Sequence, residues 1–135
     1  MDPLGTITMY YDFIDGETRE ALQSVAENSY SYRDFVKQLC DRVCADDSSD
    51  LLVYFATVHA NLLWDYESLE RLFERYNEVP IARPYFLISR SFRGESVDWD
   101  SVLESIEYVL TTYTEDWLLL DMYLTRHSIL LTRVP

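Results

Sequence analysis

Apolar residues recur at three- and four-residue intervals along most of this chain, a spacing that predicts helices rather than strands. From Glu17, the positions of Ala21, Leu22 and Val25 share one helical face, and Ser29 to Tyr32 interrupts it. A second helix follows, with Ser31 as its cap and Phe35, Val36, Leu39, Cys40 and Val43 as its apolar stripe. The polar run Asp46-Asp47-Ser48-Ser49-Asp50 then reads as a loop that also supplies an N-cap. Residues 51–66, LLVYFATVHANLLWDY, are almost continuously apolar, which places a helix in the middle of the structure. Beyond it, Leu69, Leu72, Phe73 and Tyr76 face one way and Glu70, Arg71, Glu74 and Arg75 the other, so residues 67–76 predict an amphipathic helix.

Punctuation organises the remainder. Pro80 and Pro84 precede a short helix that has Pro84 in its first turn and Gly94 just past its end. Asp98 can cap a helix in which Trp99, Val102, Leu103, Ile106, Val109, Leu110 and Tyr113 keep the helical period, and Thr114 opens a final helix through Trp117, Leu120, Tyr123, Leu124, Ile129 and Leu130. The stretch around Tyr10 to Ile14 carries no assignment. Six to eight helices result, with no internal repeat and no linker to divide them. The expected fold is all-α, a single compact helical domain over residues 1–135.

Composition agrees with that reading. Three glycines and four prolines in 135 residues are too few for the turns of a many-stranded sandwich or barrel, and 48% hydrophobic content suffices for one core. Eleven tyrosines, six phenylalanines and three tryptophans fill cores in most proteins but also anchor interfaces. The net charge of −13 argues against nucleic acid and anionic lipid as partners, and favours a basic protein or peptide. Neither a signal sequence nor a run long enough to span a bilayer is visible, so the expectation is a cytoplasmic chain without a transmembrane anchor.

Catalytic chemistry is not indicated. His59 and His127 stand without a second histidine one turn away, there is no CxxC, and no glycine-rich phosphate loop or GxSxG is present. Cys40 and Cys44 lie one helical turn apart and read as reduced core residues; a metal site joining them to His59 is formally open. The expectation is a protein that is not an enzyme and that requires neither metal nor cofactor.

One segment carries a resemblance. Residues 92–110, FRGESVDWDSVLESIEYVL, join a Phe92-Arg93-Gly94 turn to Val97-Asp98-Trp99 and a long amphipathic helix. This resembles the first homology region of the Bcl-2 apoptosis regulators, in which a Phe-Arg-Asp-Gly turn, a spacer and Val-Asn-Trp-Gly-Arg lead into a central hydrophobic helix. The resemblance implies a Bcl-2-like bundle in which the helices beginning near Trp99 and Trp117 form a central hairpin. It also implies a surface groove that takes the BH-3 helix of a pro-apoptotic protein. Leu69, Leu72, Phe73, Leu87, Leu103 and Tyr108 are the expected apolar lining, with Arg90, Arg93, Asp98, Trp99 and Ser101 at the polar end.

Departures from the family pattern matter here. The Gly-Arg that follows the tryptophan in the family, and whose arginine pairs with the ligand's aspartate, is replaced by Asp100-Ser101. Either Arg90 or Arg93 substitutes, or the groove accepts only partners whose remaining contacts suffice. From Glu95 to Asp121 there are acidic residues and no lysine or arginine, which favours arginine-rich ligands. The second homology region and an anchoring tail are not recognisable. A short chain with one region readable is similar to virus-encoded Bcl-2 homologues, which implies an inhibitor of host-cell death, cytoplasmic or peripheral to mitochondria through its partners, with a homodimer as a further expectation. The competing expectations are an acidic helical adaptor or DNA mimic, and a Bcl-2-like inhibitor of immune signalling.

Overall fold

The computed structural model describes residues 16–133, and their regular structure is helical throughout. Seven helices follow one another: α1 (Gly16–Glu27), α2 (Tyr32–Ala45), α3 (Asp50–Leu62), α4 (Tyr66–Tyr76), α5 (Arg83–Phe92), α6 (Trp99–Thr112) and α7 (Asp116–Arg133). The unassigned stretch Tyr10 to Ile14 lies outside the described residues.

The expected caps hold. The Ser31 side chain accepts from the Asp34 backbone N–H at the start of α2, and Asp98 accepts from the N–H groups of Asp100 and Ser101 at the start of α6. The cap of α3 is Ser49, one residue before the loop's last aspartate, with its side chain accepting from Leu52. Pro84 sits in the first turn of α5. At its end Gly94 takes φ +83°, a left-handed conformation that glycine adopts without a Cβ penalty, and the Glu95 N–H closes the turn on the Arg90 carbonyl.

The helix in the middle is α3. Leu52 through Thr57, with His59 and Ala60, are buried, and α1, α2, α4 and α5 pack around it. Most of its apolar circumference therefore has partners, as a helix without a polar face requires, and Leu62 at its end is left exposed. The helix is shorter than the apolar run that encodes it. After Leu62 the chain turns through Trp64 at φ 57°, and Asp65 caps α4 by accepting from the Ser68 N–H and hydroxyl. A left-handed non-glycine residue costs roughly 1–2 kcal/mol. The Trp64 ring lies 6.0 Å from Tyr66 and 5.4 Å from Phe92, contacts that offset that strain.

The hairpin of α6 and α7 lies along one flank, where the resemblance implied the centre. On α6 only Val102, Ile106 and Val109 are buried, and the helix packs on α5 and α7. Its other positions include Asp100, Glu104, Glu107 and Tyr108, all exposed, so this helix has a solvent face that a central one could not carry. Helix α7 reaches the core through Leu118, Met122 and Ile129 and through Trp117, whose indole stacks on Phe55 at 5.7 Å.

Candidate functional site

An apolar cleft of about 660 Å³ opens between the C-terminal turn of α3, helix α5 and helix α7. Val58, Leu62, Trp64, Tyr66, Ile88, Phe92, Trp99 and Ile129 supply its apolar wall, and Asn61, Tyr85, Ser91, Asp121, Thr125, Ser128 and Thr132 its polar atoms. A volume of this order suits a ligand side of a few apolar groups. Leu62, Trp64 and Phe92 are each about 60% exposed, so large apolar groups stand at the rim in water.

Local geometry explains why they stand there. Helix α3 ends at Leu62 and the chain turns left-handed at Trp64, which leaves both side chains outside the core. The Gly94 turn ends α5 just after Phe92, and Trp99, the first residue of α6, closes the far side. Thus Phe92 and Trp99, the two ends of the turn that carries the sequence resemblance, both line the cleft.

A tyrosine pair braces the polar floor. Tyr54 of α3 donates to Asp121 Oδ2 of α7 at 2.5 Å, and Tyr85 of α5 donates to the same oxygen. One carboxylate oxygen thereby ties three helices together. Burial holds the Tyr85 phenol well above its usual range, with the neighbouring Asp121 charge adding to the effect, so Tyr85 remains a donor.

The residues expected from the sequence to form a groove are not gathered into one surface. Leu69 and Leu72 are 2% and 0% exposed and belong to the core, because the α4 stripe faces α2 and α3 instead of an opening. Phe73, Arg90 and Arg93 do come together. Glu70 accepts from Arg90 at 3.0 Å and from Arg93 at 2.8 Å, the Arg90 guanidinium lies 3.9 Å from the Phe73 ring centre, and Arg93 lies over Tyr66. Both arginines therefore pair with the same partly exposed carboxylate of the chain.

The others are dispersed. Leu87 is partly buried against the core. Asp98 and Ser101 form the α6 cap, where the Ser101 hydroxyl donates to Asp98 at 3.0 Å. Ser101 and Tyr108 border a polar depression with Glu78, Arg83 and Glu104, whereas Leu103 borders another with Asp100, Glu107, Arg126 and Leu130. Of the expected residues only Trp99 lines the apolar cleft. Val58, Leu62, Trp64, Ile88, Asp121 and Ile129 were missed; the signal for Val58, Leu62, Trp64 and Ile129 is surplus, since the apolar run of residues 51–66 and the apolar positions of α7 exceed what a single buried face needs, and Ile88 and Asp121 carried none.

His59 and Cys40 sit in the core, whereas Cys44, expected there too, is only partly buried and His127 is exposed. His59 Nδ1 and the Tyr32 hydroxyl are hydrogen-bonded at 2.5 Å, and burial lowers the imidazole to about 4. Burial also pushes the Cys40 thiol up to about 12, which keeps it unreactive at neutral pH. Among the described residues no group of three or more His, Cys, Asp or Glu side chains is arranged to hold a metal ion, and no helix is long and apolar enough to cross a membrane. The chain matches no family model, no curated protein and no solved structure.

Proposed function

We propose that this protein binds an amphipathic helix of a partner protein in the cleft between α3, α5 and α7, and that it does so as a Bcl-2-like inhibitor of cell death that sequesters BH-3 helices. The observation that carries this reading is a coincidence of position: Phe92 and Trp99, the two ends of the turn that resembles the first Bcl-2 homology region, both line the apolar cleft. The chemistry supports it. A BH-3 helix presents apolar side chains at three- and four-residue spacing, and a cleft walled by Val58, Leu62, Ile88, Phe92 and Ile129 offers apolar surface to receive them.

Binding of a fluorescent BH-3 peptide, followed by anisotropy, tests the reading. Phe92→Glu places a charge on the cleft wall and should reduce binding strongly, because an unpaired charge would have to be desolvated. Leu103→Glu, on the separate α6 surface, should bind like the parent. Loss of binding in Leu103→Glu with full binding in Phe92→Glu would move the site to α6 and end the assignment to this cleft.

A further inference from the structure

We propose that the cleft recognises a positive charge on its ligand, and that Asp121 is the acceptor for a lysine or arginine side chain of the bound helix. This rests on the reading of the cleft as a helix site and adds to it the polarity of the charge that is read.

Several observations converge on Asp121. Among the described residues that line the cleft it is the only one with a formal charge. The donors supplied by Tyr54 and Tyr85 both fall on Oδ2, so two hydroxyls fix the orientation of the carboxylate without neutralising it. None of the ion pairs among the described residues involves Asp121, although five arginines elsewhere are paired. Asp121 is only partly exposed, in a cleft that Trp64, Tyr66, Phe92 and Trp99 also line.

Desolvation then decides what can enter. A wholly apolar helix would cover the carboxylate and strip its remaining water without replacing the lost interactions, which is unfavourable. A ligand aspartate would add repulsion. A lysine or arginine supplies both the counter-charge and charge-assisted hydrogen bonds to Oδ1, and the aromatic walls can take the flat face of a guanidinium or the stem of a lysine. The overall charge of −13 steers such ligands toward the surface. This polarity is the reverse of the one the resemblance implies, in which a groove arginine meets a ligand aspartate.

The test is a double-mutant cycle between the protein and a labelled BH-3 peptide, with each lysine or arginine of the peptide replaced in turn by norleucine and affinities read by anisotropy. One replacement is expected to weaken binding about tenfold or more, and Asp121→Asn should weaken the parent peptide similarly while making that replacement almost neutral. If every replacement costs the same in Asp121→Asn as in the parent, the charge proposal is overturned although helix binding stands. If no peptide binds, or Phe92→Glu leaves binding intact, the cleft is not the helix site and both readings fall. Should Asp121→Asn melt below the assay temperature, the parent protein still decides it: glutamate at the identified peptide position must bind more weakly than norleucine, and equal binding overturns the proposal.

Discussion

Acid should destabilise this protein through His59. The imidazole is 2% exposed on the central helix α3, its Nδ1 is joined to Tyr32, and Tyr32 and Phe35 meet it edge-on at 5.6 and 5.5 Å. Its Nε2 is the one buried side-chain nitrogen or oxygen, among the described residues, without a hydrogen-bond partner. Burial lowers the imidazole from 6.5 to about 4. In the unfolded chain it takes up a proton near 6.5, so between these values the unfolded state binds more protons. The stability contributed by the neutral imidazole is thus complete above about pH 6.5 and is lost as pH falls through about 4. A shift of this size corresponds to about 3 kcal/mol in total, of which about 2.5 kcal/mol is lost by roughly pH 4.5. Protonation of surface carboxylates alters repulsion over the same range, so the quantity to measure is a difference. Urea unfolding of the parent and of His59→Phe, followed by tryptophan fluorescence at pH 7.5 and 4.5, isolates it. At neutral pH the variant loses the Tyr32 hydrogen bond, worth about 1 kcal/mol, but also removes a buried unpaired nitrogen, so the two proteins should be similar. At the acid end the variant should be the more stable by about 2 kcal/mol. A stability difference that does not change with pH would refute the assignment of acid sensitivity to His59.

Other consequences follow from the packing. Leu72→Ala removes a fully buried side chain of α4 and should cost about 2–5 kcal/mol in the same unfolding assay, without altering the cleft wall. Glu70→Gln weakens both arginine contacts and should cost only about 1 kcal/mol, since the pairs are partly exposed, with the loss shrinking in high salt. Leu120, Tyr123, Leu124, Leu130 and Leu131 form an exposed apolar row along α7, the face through which a homodimer is expected; sedimentation should show association that Leu124→Glu abolishes, and a monomer at high concentration would dismiss the dimer.

Helices were legible in the sequence because their signals are local. The period of α2, the caps Ser31 and Asp98, and the Pro84 and Gly94 boundaries of α5 each depend on residues within a turn or two of one another. The end of α3 was not legible, since Asn61-Leu62-Leu63-Trp64 contains no glycine or proline and the left-handed turn is taken by a tryptophan. The cleft was hidden for a second reason. Its wall brings Leu62, Ile88 and Ile129 together from three helices, and no single stripe announces such a junction. Leu69 and Leu72 show the converse: an amphipathic stripe identifies a buried face, but whether it meets the core or a groove is settled by neighbours distant in sequence.

The acidic start of α6 and the Asp121 carboxylate place the reading of a ligand charge at different positions, and Ser101→Arg separates them. In the Bcl-2 pattern an arginine near this position would meet a ligand aspartate. Here Ser101 donates to Asp98 in the helix cap and borders a depression with Glu104 and Tyr108, apart from the apolar cleft. An arginine at residue 101 would lie among Asp98, Asp100 and Glu104, pair with those exposed carboxylates and be screened by solvent. Asp121 differs because it is partly buried and two tyrosines fix its position, so a charge presented to it at short range is less screened than one at the exposed start of α6. Ser101→Arg should therefore change the affinity for a BH-3 peptide by no more than about twofold, the scale of an exposed ion pair, and should leave the preference for basic residues unchanged. A gain of about tenfold that disappears when the peptide's aspartate is replaced by asparagine would show the ligand lying across the start of α6, with its aspartate where the family pattern would put it.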